Sequence, residues 1–302
     1  MQNGTPKALF AALGVVAVFG VPLHAAAAAK LKAIVSIPPQ AYFVERIGGE
    51  FVDVDILVRP GQSPHTYAPT AKQMVRLGQA KVYFTIGVQF ENALLPRVKR
   101  MFKELRIVDT RRGVPLREMG CAGHDDHADH DHQHAEDDSS ADPHIWLSPK
   151  LVKIQAKNVC DALAELDPAN TKTFRSNLTA FHAELDAVSE ELAQTLAPLK
   201  GSRVFVFHPA FGYFLDEFGL QQAPVEVEGK EPTARQLVHL IDEAKAQGVK
   251  VIFVQPQFSK KSANVIAKAI GGAVVPIDPL AQNYIANLRE MAQKIKTGLG
   301  KP

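Results

Sequence analysis

Five histidines and four aspartates fall within the eleven residues HDDHADHDHQH, from His124 to His134. Imidazole and carboxylate are the donors that a divalent transition metal prefers, so this run is where metal chemistry first announces itself. His124, His127, His130, His132 and His134 stand there without apolar periodicity and without Gly or Pro to shape a turn. Such a tract predicts a disordered loop over about 121–141, which collects metal at several weak sites and presents no single preformed geometry. It ends ten residues before His144, so an ion held there would sit at high effective concentration beside any better site nearby.

A quieter set of residues suits a tight site better. Four segments place a metal-capable side chain beside proline: GQSPHTYAP with His65, ADPHIWLSP with His144, VFVFHPAFGYF with His208 and VVPIDPLAQNY with Asp278. Proline fixes its own φ and restricts its neighbour, so each loop is stiff and loses less entropy on holding an ion. One histidine near a strand end is ordinarily a structural residue; the weight rests on four such loops together. Three imidazoles and one carboxylate form a four-coordinate set suited to Zn²⁺. A hydrolytic zinc site would need an open position and a general base. The chain has no H-E-x-x-H motif: HAELD at His182 and HLIDE at His239 both lack the second histidine. The sequence therefore reads as a binding protein, not an enzyme, with an exported zinc hydrolase as the rival reading. His182 reads as structural, and Trp146, Tyr67, Phe207 and Tyr213 are candidates to wall the site. Asp142 stands close to His144 in the chain, as a ligating histidine's hydrogen-bond partner could.

The elements that must position these loops alternate in type. LKAIVSI (31–37), VDVDILV (52–58), KVYFTIG (81–87), RIVDT (106–110), RVFVF (203–207), KVIFV (250–254) and GAVVPI (272–277) read as strands, separated by stretches of helical spacing. Alternation predicts an α/β fold with mainly parallel sheets flanked by helices. His65, His208 and Asp278 follow predicted strands, and open parallel sheets bind ligands at the carboxyl ends of their strands. Between the two alternating regions, Phe174, Leu178, Phe181, Leu185, Val188, Leu192 and Leu196 recur every three or four residues. They predict one amphipathic helix of about 40 Å, a stiff connector between two lobes. The expected organisation is a signal segment over 1–29, an N-terminal lobe over 30–166, the connecting helix over 167–198 and a C-terminal lobe over 199–302.

Composition agrees with an ordinary folded protein: 46% of its 302 residues are hydrophobic and 22% charged. The net charge of +2 conceals seven acidic residues in 124–138 and +9 over the remainder. No block of Lys and Arg is dense enough to suggest nucleic acid. At the start, Lys7 precedes an apolar run from Ala8 to Leu23 and then HAAAAAK. A short apolar core before an Ala-x-Ala site is the pattern of an export signal, and no Cys precedes position 121 to be lipidated at the cleavage site. The mature protein is expected to be exported and soluble. Cys121 and Cys160 would meet an oxidising compartment, which permits a disulfide without requiring one.

The motifs PGQSPHTYAPT, DPHIWLSP, FHPAFGYF, GKEPTARQL and IDPLAQNY occur in this order across the mature chain. In them the sequence resembles the metal-specific solute-binding proteins of bacterial ABC importers, and within these the zinc-binding ZnuA-like group. The resemblance implies two α/β lobes joined by a long rigid helix, with Zn²⁺ carried between them to an inner-membrane permease driven by its ATPase. It implies a periplasmic monomer, with His65, His144 and His208 as ligands. Asp278 matches a place where many members supply a carboxylate and others use water. Manganese-binding relatives commonly have a carboxylate at the place of His208, where histidine favours zinc; a manganese or broader metal specificity is the alternative. Ser148 stands where relatives often have Asp.

Overall fold

The structure is a computed structural model that describes residues 1, 29–118, 141–226 and 232–300. The signal segment over 2–28, Cys121 and the histidine run from His124 to His134 lie outside the described residues.

Two sheets form, each of four parallel strands. The first is built from β1 (Leu31–Val35), β2 (Val52–Ile56), β3 (Val82–Thr85) and β4 (Arg106–Asp109), in the order β2-β1-β3-β4. The second is built from β5 (Arg203–Val206), β6 (Gln221–Pro224), β7 (Val251–Val254) and β8 (Ala273–Pro276), in the order β6-β5-β7-β8. Parallel strands need crossovers, which helices supply. In the first lobe these are α1 (Pro38–Gly48), α2 (Ala71–Gln79) and α3 (Gln89–Met101). They are followed by α4 (Pro149–Leu166) and α5 (Thr171–Leu196). The second lobe has α6 (Gly212–Glu217), α7 (Ala234–Ala246), α8 (Lys261–Ala269) and α9 (Tyr284–Leu299).

Local chemistry explains several of these boundaries. Pro38 and Pro39 open α1, where a missing N–H costs nothing. Thr70 and Gln73 close a reciprocal capping box at the start of α2, and Thr233 and Gln236 do the same for α7. All four residues of β3 are buried, as a central parallel strand covered on both faces requires. The seven predicted strands all form, each within the predicted limits. The eighth, β6, has the sequence QQAP, which carries no apolar run to mark it. It lies at the edge of its sheet, the one place where Pro224 is tolerated in a ladder.

The connecting helix α5 has 26 residues, about 39 Å at 1.5 Å per residue. Short 3₁₀ turns at Pro168–Asn170 and Ala197–Leu199 flank it, so the expected single helix is trimmed at both ends. Phe174, Phe181, Leu185, Val188, Leu192 and Leu196 are its buried stripe. This stripe belongs to a core that runs continuously from the first sheet through α5 and α9 to the inner face of the second sheet. A smaller cluster, including Phe205, Phe207, Ile252 and Leu240, fills the outer side of the second lobe. His182 on α5 donates to the Lys153 carbonyl at 3.0 Å, a structural role.

Candidate metal centre

Each histidine of the site is delivered by a loop whose backbone is held independently of any ligand. Beyond β2, Leu57 and Val58 continue pairing with Val35 and Ser36, and the chain then turns through Pro60 and Gly61. Gly61 has a φ of 82°, a conformation that favours glycine. Gln62 closes this turn, its N–H donating to the Arg59 carbonyl and its side-chain oxygen accepting from Arg59 N. His65 follows, its own N–H bonded to Ser63 Oγ at 3.3 Å. His208 lies two residues past β5. Gln255, just past β7, holds its backbone from both sides: Oε1 accepts from His208 N at 3.2 Å and Nε2 donates to His208 O at 2.7 Å. Because strand order reverses between β5 and β7, His208 and Gln255 stand at the switch point of the second sheet. His144 opens the short 3₁₀ turn Ile145–Leu147, which Ser148 links to α4 as its N-cap.

The three imidazoles converge. One ligand nitrogen from each of His65, His144 and His208 lies within 4.8 Å of the other two. His65 Nε2 and His208 Nε2 are 3.0 Å apart. Nitrogens bound tetrahedrally to one zinc at about 2.0–2.1 Å are about 3.3 Å apart, so small side-chain rotations suffice to place all three on one ion. The Nδ1 atoms are otherwise engaged. His144 Nδ1 pairs with Asp142 Oδ1 at 2.7 Å, His208 Nδ1 with Glu226 Oε2 at 2.7 Å, and His65 Nδ1 faces Gln89 Oε1 at 3.3 Å. A carboxylate accepting at Nδ1 fixes the tautomer that leaves Nε2 with its lone pair free, and makes that nitrogen a stronger donor to a metal.

Electrostatics point the same way. Burial pushes His208 below the ordinary histidine value, against the upward pull of its bond to Glu226. Burial, followed by the neighbouring His208, lowers His65 as well. Both rings therefore stay neutral and able to ligate below the pH at which an exposed histidine takes up its proton.

Asp278 stands two residues past β8 but does not join this group. Its Oδ1 accepts from Gln257 Nε2 at 2.8 Å and from Leu280 N at 2.9 Å. Among the proposed wall residues, Trp146 lies 5.1 Å from His144, centroid to centroid, and donates to the Pro279 carbonyl of the other lobe. Tyr67 packs on Phe90 instead, and Tyr213 bonds to Asp142 O. Sequence reasoning missed Glu226, Gln89, Gln255 and Phe258. Phe258 stacks on His208 at 4.7 Å with 20° between the planes. Glu226 had no signal, being one of several acids around 226–231, while Phe258 follows the strand β7 in QPQF without a donor beside it. Cys160 is a buried free thiol, and its suggested partner Cys121 is outside the described residues.

The sequence profile of the zinc-uptake complex component A, a periplasmic protein, matches residues 34–298, nearly all of the folded chain. The chain belongs to the ZnuA family. The high-affinity zinc uptake system protein ZnuA of Yersinia pestis is 28% identical over 279 residues, covering 87% of this chain and 86% of that protein. A crystal structure of ZnuA superposes with a TM-score of 0.81 at 41% identity, covering 89% of this chain and 99% of the other. A ZnuA deletion mutant with zinc bound matches with the same score and identity over 91% of this chain. The ZnuA family is one of metal-binding transport proteins and not an enzyme family, and the two parallel-sheet lobes joined by α5 are its architecture.

Proposed function

We propose that the chain captures Zn²⁺ between its lobes on Nε2 of His65, His144 and His208 and hands it to an ABC-type membrane importer. The observation that carries this reading is the convergence of three imidazoles, one ligand nitrogen of each within 4.8 Å of the others, with two of the rings oriented by a buried carboxylate. An all-imidazole triad suits zinc, whereas manganese favours oxygen donors. Asp142 and Glu226 are already committed to histidine Nδ1 atoms, so neither is free to serve as base for a metal-bound water, which supports binding over hydrolysis. The fourth position falls to water or to Asp278, and an Asp278→Ala variant separates the two.

In this reading residues 1–29 direct export, the run from His124 to His134 is an auxiliary collector of metal, and the protein works as a monomer. The test is competition of Zn²⁺ and Mn²⁺ for the full chain against a chelator of known affinity. Zinc preferred by orders of magnitude supports the assignment. Equal affinity, or a preference for manganese, sinks it.

A further inference from the structure

Beyond the triad, several of the contacts that join the two lobes meet at Arg117. Its backbone N–H donates to the Tyr213 hydroxyl at 2.9 Å, and that hydroxyl donates to the Asp142 carbonyl at 3.0 Å. Its guanidinium Nη1 donates to Asp216, and Cζ lies 5.7 Å from the centre of the Tyr213 ring. Tyr213 and Asp216 both belong to α6 in the second lobe. On the other side, Nε faces Asp142 Oδ2 at 3.8 Å, an ion-pair distance and not a hydrogen bond.

Asp142 is the residue that orients His144, and its two oxygens have separate partners. Oδ1 accepts from His144 Nδ1 at 2.7 Å and from His144 N at 3.0 Å, while Oδ2 faces Arg117. The main chain reinforces the pairing, since Asp142 N donates to Arg117 O at 2.8 Å and Glu118 forms an antiparallel bridge with Ala141.

The guanidinium also lies close against Gly212. A Cβ placed on Gly212 would lie 2.6 Å from Arg117 Nη1 and 2.8 Å from Cζ. Gly212 is not one of the glycines with positive φ, so its backbone conformation is open to other residues. A methyl group there would push the guanidinium aside.

We propose that Arg117 is a positioning residue that ties the orientation of the His144 ring to the seating of the second lobe. The inference rests on the reading that the triad binds zinc. An exposed Arg–Asp pair alone contributes little. Here the same guanidinium also faces a carboxylate that is 1% exposed and holds a metal-binding ring. Its planar fork reaches Asp142 and Asp216 together, which a lysine ammonium, a single point of charge, cannot do. Loosening this contact frees the Asp142 carboxylate to turn, and the His144 ring with it.

The test uses the full chain and compares wild type with Arg117→Ala, Arg117→Lys, Gly212→Ala and His65→Ala. Zinc affinity is read by chelator competition, zinc release by stopped flow, and the His144 tautomer of the metal-free protein by ¹⁵N NMR. Arg117→Ala and Gly212→Ala are expected to lower affinity by about 10–100-fold, the usual effect of disturbing a ligand's hydrogen-bond partner, chiefly through faster release. Arg117→Lys recovers part of the loss, and His144 loses its single Nδ1–H tautomer in Arg117→Ala. Should Arg117→Ala fail to fold, Gly212→Ala still displaces the guanidinium by one methyl group. Wild-type release and an unchanged tautomer in both variants, with binding lost in His65→Ala, overturn the role of Arg117 and leave the triad standing. Full binding by His65→Ala overturns the triad reading itself, and with it the ground of this inference.

Discussion

At the scale of single residues, the site is a set of imidazoles with their Nδ1 atoms spoken for. The histidines were legible because each stands beside proline, in a loop after a strand or before a helix cap. Their partners were not legible in the same way. Asp142 is two residues from His144 and could be suspected, but Glu226 is eighteen residues from His208 and meets it only because β6 lies beside β5. That strand was the one the sequence concealed. Glu226→Gln keeps the size of the side chain but lets it present an amide to His208 Nδ1. We expect zinc affinity to fall by about 10–100-fold with the fold intact, measured by chelator competition beside circular dichroism. An unchanged affinity would mean that Glu226 does not orient the ring.

At the scale of elements, the two sheets solve the same problem in different ways. In the second, His208 and Gln255 stand at the switch point between β5 and β7. In the first, the corresponding crevice between β1 and β3 is closed by Glu91 from the first turn of α3. Its carboxylate accepts from Ile86 N at 3.0 Å, from Gly87 N at 2.7 Å and from Ser36 Oγ. Burial nonetheless pushes Glu91 up to about 7, well above an unfolded glutamate. The folded state therefore holds the proton more tightly, and its stability falls as pH rises from about 4.5 to about 7. Urea unfolding of chelator-treated protein at pH 5 and pH 7.5 measures this contribution. Glu91→Gln removes it, so the variant loses less stability than wild type between the two. An identical pH dependence in both proteins would show that Glu91 titrates as it does in the unfolded chain. The sequence offered no hint of this group, because FENALLPRVKRMF marks a helix whose acid looks as solvated as any other.

At the scale of the whole molecule, two lobes and a stiff connector were readable from alternating strands and from the stripe Phe174 to Leu196. What periodicity could not reveal is that the lobes share one core. Tyr284, Leu288 and Met291 of α9 pack in the same cluster as Phe181 and Leu185 of α5 and Phe43 of α1. Trp146–Pro279 and Ser148–Glu217 hydrogen bonds add further ties across the cleft. Ser148 thus has a role of its own where relatives often have Asp. Wide hinge closure would break this core, so we expect zinc binding to be accommodated by side-chain rotation and local loop ordering. Small-angle scattering of metal-free and zinc-loaded protein should give the same radius of gyration within error. A clear contraction on loading would instead indicate a hinge.

We propose that the loudest motif of the chain is not its working site, and that separation is the central claim. Elemental analysis after exchange against a moderate chelator tests it directly, on wild type, on a variant lacking 124–138 and on His208→Ala. The account predicts one retained zinc per chain in the first two and none in His208→Ala. Zinc retained by His208→Ala but lost on deletion of 124–138 would contradict it.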